Sequence, residues 1–155
     1  MGDLPSVGIR LLDARLTGWG FPRWGSEAAA GLDLHACLDA PLDLAPDSPA
    51  ALIPAGFSVL IRDPAWCGLV FPRSGRGHRD GLILGNGTGV IDADYEGPLM
   101  ISAWNRSRQP VRIEPGERIA QLVFTRIARP VLSVLDGDAG PGSARGEGGF
   151  GSSGR

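Results

Sequence analysis

Glycine and proline interrupt this chain so often that a long helix has nowhere to form. Glycine supplies 24 and proline 13 of the 155 residues, and both are poor residues for a helix interior. Between them lie short apolar runs, rich in valine and isoleucine and partly alternating with polar residues, which is typical of strands. The runs cover residues 7–12, 52–61, 66–71, 82–84, 99–104, 119–124 and 131–135. We therefore predict an all-β sandwich or barrel of short strands, with at most a short helical turn at residues 74–80.

The length suits a single folded domain followed by an arm. A chain of 155 residues and 16.2 kDa can bury one core. The segment 136–155 is rich in glycine and carries one large apolar side chain, Phe150, so it cannot build a core of its own. We expect a β domain over residues 1–135 and a flexible, glycine-rich C-terminal arm over residues 136–155.

The basic residues restrict the chemistry, because all fifteen are arginine and the sequence contains no lysine. A Walker A lysine, a Schiff-base lysine and a lysine nucleophile are thereby excluded. Any phosphate must instead be bound by guanidinium, hydroxyl or backbone N–H groups. The formal net charge of -2 argues against broad nucleic-acid binding.

The remaining composition points to a reduced protein without a metal cluster or a membrane anchor. Two cysteines and two histidines are too few and too scattered for a zinc cluster. No apolar stretch approaches the roughly 20 residues of a membrane span, and the first residues lack the pattern of a secretory signal. The sequence predicts a cytoplasmic protein with neither a membrane nor a nucleic acid as its partner.

Residues 71–100 hold three features that no simple structural role requires together. The first is the run of Arg73, Ser74 and Gly75, which offers a planar donor fork, a hydroxyl and a backbone open to close approach. These groups suit the binding of a polyphosphate. An ordinary glycine-rich turn explains the same three residues, and this alternative stays open.

The second feature is Asn86 in the sequence LGNGTG, between the run 82–84 and residues 90–91. The spacing predicts a β-hairpin, in which asparagine is usually only a turn former. A carboxamide that faces a pocket would also supply donors and an acceptor for the edge of a nucleobase. The spacing alone favours the structural interpretation.

The third feature is the sequence VIDADY, which brings Asp92 and Asp94 beside the chain's only tyrosine, Tyr95. In an extended segment the two carboxylates point to the same side. Asp92 would then accept a proton from water during attack on phosphorus, and the Tyr95 ring would pack against a sugar. The structural alternative is an edge strand that carries solvated acids.

Five motifs, taken in order along the chain, resemble those of the homotrimeric dUTPases (deoxyuridine 5′-triphosphate nucleotidohydrolases) of the bacterial type. They are AGLDLHA from Ala30, PRSGRGH from Pro72, GNGTGVIDADYEG from Gly85, GERIAQLVF from Gly116 and RGEGGFGSSG from Arg145. The resemblance implies a jelly-roll-like β fold, a homotrimer with three shared active sites, and hydrolysis of dUTP to dUMP and pyrophosphate. Such a reaction keeps uracil out of DNA and supplies dUMP for thymidylate synthesis.

The resemblance also implies a role for each matching residue. Asp92 would orient and deprotonate the water that attacks the α-phosphorus, and Tyr95 would lie against the deoxyribose and leave no room for a 2′-hydroxyl. The residues that would contact the base, partly through main-chain groups, are Asn86, Val90, Ile91 and Met100. The residues that would bind the phosphate chain are Arg73, Ser74, Gly75 and Gln121.

Two further parts of the site follow from the same resemblance. The C-terminal arm would close over the nucleotide of a neighbouring subunit, with its aromatic ring on the uracil and its polar groups at the γ-phosphate end. The arm residues concerned are Arg145, Phe150, Gly151, Ser152 and Ser153. Mg²⁺ would bridge the triphosphate oxygens and keep mostly water ligands, with Asp33 contacting the metal's waters rather than the ion.

Three positions, Glu27, Arg76 and Glu96, depart from the family pattern, and none removes a group that the mechanism needs. Arg76 either adds positive potential near the phosphates or pairs with an acid on the surface. A cluster of aromatic residues has no match in the five motifs, and we assign it to packing between subunits. Its members are Trp19, Phe21 and Trp24.

Two other functions fit parts of this sequence. A dCTP deaminase on the same fold would release ammonia, but the zinc route to deamination needs a cysteine pair and a His-x-Glu sequence that this chain lacks. A non-catalytic regulator that senses dUTP would still bind its ligand after the loss of Asp92.

Overall fold

The computed structural model describes residues 4–135, which form eleven short strands and two short helical segments. The strands are β1 (Gly8–Leu11), β2 (Leu32–His35), β3 (Leu42–Leu44), β4 (Ala51–Pro54), β5 (Phe57–Leu60), β6 (Trp66–Pro72), β7 (Leu82–Leu84), β8 (Gly89–Ile91), β9 (Met100–Asn105), β10 (Val111–Ile113) and β11 (Arg118–Arg126). The helical segments are α1 (Arg15–Gly18) and a π-helical turn (Arg76–Asp80). The prediction of an all-β protein with little helix is confirmed.

One antiparallel sheet of four strands, in the order β2-β11-β6-β8, positions most of the candidate site. Its inner strand β11 pairs with β6, with Ala120 opposite Pro72 at one end of the ladder. On its other side β11 pairs with β2, so that Gln121 lies opposite Asp33. Three motifs that are far apart in the sequence therefore meet in neighbouring strands.

The other strands form a three-stranded sheet, β4-β9-β7, and two pairs, β1-β5 and β10-β3. Alternation along each strand decides which side chains enter the core. In β9, Ile101, Ala103 and Asn105 are buried, whereas Met100 is exposed. Completely buried side chains from several sheets share one core, among them Leu34, Ile53, Phe57 and Leu122.

Two of the predicted strands differ from the structure. The run 52–61 contains two strands, β4 and β5, because the chain turns at Gly56, where a φ of 81° suits glycine. The strand predicted at residues 131–135 is wrong, since these residues form no strand and are exposed, Val131 by 99% and Val134 by 95%. An apolar run indicates side chains that favour burial. A strand forms only where a neighbouring strand is also available to pair with it.

The hairpin predicted around Asn86 is also wrong. β7 pairs with β9 and β8 pairs with β6, so the two strands that flank Asn86 belong to different sheets. The turn itself is present, since the Gly87 N–H donates to the Leu84 carbonyl at 3.1 Å. The sequence LGNGTG therefore carries the chain from one sheet to the other.

Strands β2, β3 and β10 and helix α1 have no counterpart among the predicted runs. Each contains only three or four residues, and so short a segment gives a weak local signal. The helical turn predicted at residues 74–80 is confirmed, and the π-helical turn forms most of it. Within residues 4–135, neither helical segment has the length and apolar character needed to cross a membrane.

Cys37 gives the stability of this fold a measurable dependence on alkaline pH. Its side chain is buried, and burial together with the nearby Asp13 carboxylate raises the pKa of the thiol from 9.0 to about 11. Because the thiol ionises more readily in the unfolded chain, its contribution to stability is complete below about pH 9 and is lost between about pH 9 and 11. We expect the melting temperature of the wild type to fall more steeply over this range than that of Cys37→Ala in calorimetry. Parallel slopes for the two proteins would contradict this expectation.

Candidate active site

A cavity of about 890 Å³ opens where β2, the end of β6 and the start of β11 meet. Every predicted phosphate-binding residue of the domain and the predicted metal contact lie on its wall, namely Arg73, Ser74, Gly75, Gln121 and Asp33. The arginines on this wall within residues 4–135 are Arg23, Arg73, Arg76, Arg79 and Arg118. These arginines outnumber the carboxylates that pair with them, those of Asp33, Asp80 and Glu117, and the remaining positive charge suits an anion that carries several charges.

The carboxylate of Asp33 joins two of these arginines. Asp33 is 6% exposed, and its Oδ1 lies 3.0 Å from Nε of Arg73 while its Oδ2 lies 3.0 Å from Nη1 of Arg118. The two cations offset the cost of burying the carboxylate, and each guanidinium keeps further N–H donors for a ligand. Arg118 is a site residue that the sequence analysis missed, although it stands in the motif GERIAQLVF, close to Gln121.

The side chain of Gln121 is held on the wall of the same cavity. Its Nε2 donates a hydrogen bond to the Pro72 carbonyl at 3.0 Å. A Cβ atom at Gly31 would collide with the Gln121 Oε1 and would lie 3.1 Å from the Gln121 Cβ. The Gln121 side chain can therefore pack in this position only because residue 31, in the motif AGLDLHA, is a glycine.

A second, smaller pocket of about 210 Å³ collects residues predicted to face the sugar and the base. Those on its wall are Val90, Ile91, Asp92, Tyr95 and Met100. Strand β8 ends at Ile91, and the Tyr95 N–H donates to the Asp92 carbonyl at 3.2 Å, so residues 92–95 form a turn. The extended segment predicted for Asp92 and Asp94 is wrong, and both residues are exposed on this turn, on either side of the buried Ala93.

The ring of Tyr95 is fixed at the edge of this second pocket. Its hydroxyl donates to the Pro98 carbonyl at 2.9 Å, and a Cβ atom at Gly97 would lie 2.6 Å from Cζ of the ring. Glu96, one of the departures from the family pattern, accepts a hydrogen bond from Nε of Arg62 at 3.1 Å. The glycine makes room for the ring, and the ion pair ties the turn to the neighbouring loop.

The two cavities have no wall residue in common, and Asn86 lies on neither wall. Ile91 lies opposite Gly68 in the sheet, and Arg73 follows five residues after Gly68, about 16 Å away at the rise of a strand. One chain therefore does not bring Asp92 to the phosphate-binding residues. The predicted arm residues Arg145, Phe150, Gly151, Ser152 and Ser153 lie outside the described residues.

The aromatic residues before β2 pack largely within the chain. Phe21 is 5% exposed and lies on Phe57 with ring centroids 4.5 Å apart, so its assignment to packing between subunits is wrong. Trp19 stacks on His35 at 6.0 Å, and both line the larger cavity. Burial lowers the pKa of His35, which keeps this imidazole neutral at pH 7. Trp24 remains 48% exposed.

The fold and its two cavities define a class of protein. An arginine-lined cavity suits a chain of phosphates, and a pocket of apolar side chains with one aromatic ring suits a nucleoside. An exposed carboxylate on the wall of the second pocket adds a candidate base for hydrolysis. These parts describe an all-β nucleotide-binding hydrolase.

Comparison with known proteins identifies the family. The sequence model of the dUTPase family matches residues 18–154. A deoxyuridine 5'-triphosphate nucleotidohydrolase of Xanthomonas campestris pv. campestris (strain B100) is 53% identical over 150 residues, which cover 96% of this chain and 97% of the relative. One of the same name from Xylella fastidiosa (strain M23) is 54% identical over 147 residues, 94% and 93% of the two chains. The chain belongs to the dUTPase family, and its activity is that of a dUTP diphosphatase.

Solved structures agree with this assignment. A dUTPase of Staphylococcus bacteriophage 80alpha with dUPNHPP aligns with a TM-score of 0.83 and 29% identity, over 97% of this chain and 99% of the phage chain. A mutant dUTPase from phage phi11 of S. aureus, described with a coordinated structural Mg(II) ion, aligns with a TM-score of 0.73 and 24% identity over 86% and 99%. The second likeness concerns the fold alone. The five-motif resemblance is confirmed, and neither the deaminase nor the non-catalytic regulator is favoured.

Gly31→Ala tests the packing of Gln121. The added methyl group displaces a flexible side chain, so we expect the melting temperature to change by less than about 4 °C. Gln121 would lose its hydrogen bond to the Pro72 carbonyl, which we expect to raise KM for dUTP by roughly five-fold, the equivalent of about 1 kcal/mol. Gly18→Ala is the control, because a Cβ atom there meets nothing within 4 Å. An unchanged KM in Gly31→Ala would show that the position of Gln121 does not matter.

Proposed function

We propose that this dUTPase releases pyrophosphate from dUTP by attack of water on the α-phosphorus, with Asp92 as the general base. The observation that carries the proposal is the larger cavity, where Asp33 holds Arg73 and Arg118 beside Gln121. Phosphoryl transfer depends mainly on positioning and on neutralising charge. A triphosphate in this cavity would receive both.

The phosphate chain would be bound by Arg73, Ser74, Gly75 and Gln121. Arg73 uses Nε for Asp33, so its Nη atoms still offer N–H donors to phosphate oxygens. The Gly77 N–H donates to the Arg73 carbonyl at 2.8 Å and folds the chain tightly just after β6. This fold leaves Ser74 and Gly75 exposed on the cavity wall.

The sugar and base would be bound in the smaller pocket. Asp92 is exposed there, and its carboxylate is open to the water that it would deprotonate. Tyr95, held by Gly97 and Pro98, would lie against the deoxyribose and exclude a 2′-hydroxyl. The proposed base contacts are Val90, Ile91 and Met100, which lie on its wall, and Asn86, which lies outside it on the turn before β8. Uracil would be selected because another base would leave polar groups of the pocket without hydrogen-bond partners, which costs binding free energy.

Mg²⁺ enters this proposal with the triphosphate. Within residues 4–135, no three His, Cys, Asp or Glu side chains are grouped so that they could hold a metal ion. Asp33 already binds two arginines, so the donor set fits an ion carried by phosphate oxygens, with Asp33 accepting a hydrogen bond from one of its waters. Bound in this way, Mg²⁺ supplies neutralisation of phosphate charge.

A homotrimer would bring the two cavities together. We propose that Asp92 of one subunit acts with Arg73 and Gln121 of another, because within one chain Asp92 follows Ile91, whose strand partner Gly68 lies about 16 Å from Arg73 along β6. The end of the described chain carries apolar side chains that a second copy would cover: Val131, Leu132, Val134 and Leu135, all at least 65% exposed. The arm of residues 136–155 would close each site by stacking Phe150 on the uracil.

The proposed cellular role is to keep uracil out of DNA and to supply dUMP, in the cytoplasm. Cys37 and Cys67 are both buried and free of disulfide bonds, which accords with a reducing compartment. The two free cysteines therefore support the proposed location in the cytoplasm.

Asp92→Asn tests the general base. The amide cannot accept a proton, so we expect pyrophosphate release from dUTP to fall by at least about 100-fold, while affinity for the analogue dUPNHPP stays close to that of the wild type. Asp94→Asn is the matched control, because Asp94 is exposed on the same turn but lies off the pocket wall. Turnover of Asp92→Asn near the wild-type rate would contradict the assignment.

The wild type should also prefer dUTP over UTP, dCTP and dTTP.

Mixed oligomers test the shared site. Asp92→Asn and Arg73→Gln chains should each be nearly inactive, whereas chains refolded together should regain part of the wild-type turnover. The recovery is expected because mixed trimers contain sites in which both residues are intact. Activity no higher than the average of the two variants would place the whole site within one chain. Analytical ultracentrifugation of the mixture checks the trimer directly.

A further inference from the structure

Arg76 lies on the wall of the phosphate cavity, two residues after Ser74. An arginine that bound phosphate would reach into the open space of the cavity. The Arg76 side chain is instead only 19% exposed. The contacts of its side chain therefore indicate whether Arg76 binds the phosphates directly or positions the loop that binds them.

All three nitrogens of the Arg76 guanidinium are engaged by other parts of the chain. Nη1 lies 2.8 Å from Oδ2 of Asp80, and Nη2 donates to the Arg112 carbonyl at 2.8 Å. Nε lies 2.9 Å from Oε1 of Glu117, although its N–H is not aligned for a hydrogen bond, so this contact is an ion pair. Arg76 thus contacts its own turn, the β10 strand and the loop before β11.

The charges around Arg76 cancel. Arg79 also pairs with Asp80, with Nε and Oδ1 at 2.9 Å. Two guanidinium groups thus face two carboxylates, those of Asp80 and Glu117, and the cluster is formally neutral. Arg76 therefore adds little positive potential for a phosphate.

The position of this cluster gives it a mechanical role. The ladder between β6 and β11 stops where Pro72 lies opposite Ala120, one residue before Arg73. Beyond that point, Arg76 and Glu117 continue the connection between the two segments. These are the segments that carry Arg73 on one side and Arg118 and Gln121 on the other.

Glu117 is a firm anchor for this connection. Its Oε2 accepts a hydrogen bond from the Glu114 N–H at 3.0 Å, and its carbonyl accepts one from the Ala36 N–H at 2.8 Å. Its side chain is 27% exposed. Because the pair is partly shielded from solvent, it is worth more than a fully exposed ion pair.

We propose that Arg76 is a positioning residue, whose contacts with Glu117, Asp80 and the Arg112 carbonyl hold the phosphate-binding residues 73–75 against the start of β11. This inference rests on the proposed function of residues 73–75 and Gln121. It predicts that Arg76 acts through the geometry of that loop, and that Glu117 is as important for phosphate binding as Arg76 is.

Glu117→Gln separates positioning from direct phosphate binding. If Arg76 positions the loop, Arg76→Gln and Glu117→Gln should both raise KM for dUTP by about 3- to 10-fold, with kcat within two-fold of the wild type. The double variant should then be no worse than the poorer single variant, because both changes break the same connection. If Arg76 binds phosphate directly, Glu117→Gln frees its guanidinium and lowers KM. A lowered or unchanged KM in Glu117→Gln overturns the proposal.

Arg76→Lys supplies a second discrimination. A lysine keeps the charge but cannot make three separate contacts from a planar fork, so we expect its KM to match that of Arg76→Gln. A wild-type KM in Arg76→Lys would show that charge alone matters and would overturn the proposal. Arg112→Gln is the control, because its exposed side chain pairs with Asp43 and Glu114 outside the cavity and its backbone carbonyl is retained.

Calorimetric binding of dUPNHPP keeps this test independent of turnover. Both Arg76→Gln and Glu117→Gln should weaken binding by the same several-fold factor, with melting temperatures recorded to confirm that each variant is folded. Wild-type affinity in both variants overturns the positioning role. If the wild type binds dUPNHPP but releases no pyrophosphate from dUTP, the proposed function fails, whereas the positioning role is still decided by these affinities.

Discussion

The candidate site depends on one buried carboxylate held between two guanidinium groups. Strand β2 supplies Asp33, the end of β6 leads to Arg73, and β11 begins with Arg118, so the sheet must form before the three groups can meet. A buried carboxylate is costly unless it is paired. The same contacts that satisfy Asp33 therefore fix both guanidinium groups before a nucleotide arrives, and preorganised charge is the main requirement of phosphoryl transfer.

Two glycines, which carry no side chain, shape this site as much as the charged groups do. Gly31 leaves space for Gln121 on the wall of the larger cavity, and Gly97 leaves space for the ring of Tyr95 in the smaller pocket. The two cavities lie at different places on the same sheet, and the apolar end of the described chain is uncovered. Both features support the proposal that another copy of the chain completes the site.

Some of this structure could be predicted from the sequence because the signals are local. Breakers between short apolar runs predict the all-β class, and the five motifs predict the family and contain most of the residues on the two cavity walls. The predictions fail where a segment's structure or role depends on residues that are distant in the chain. Residues 82–84 and 89–91 look like the arms of a hairpin, but each finds a better partner in a different sheet. Arg118 was missed because its role depends on Asp33, which is distant in the chain.

Composition and motifs establish the available chemical groups, namely arginine without lysine, one tyrosine and the carboxylates of the five motifs, and frequent glycine and proline limit the chain to short strands. The folded chain then sets how these groups are used. It placed Asp33 between two arginines and enclosed Arg76 among acids. It also kept Asp92 away from the phosphate cavity. The two levels differ because composition and backbone propensity act over a few residues, whereas charge pairing and packing act between strands that meet only when the sheet has formed.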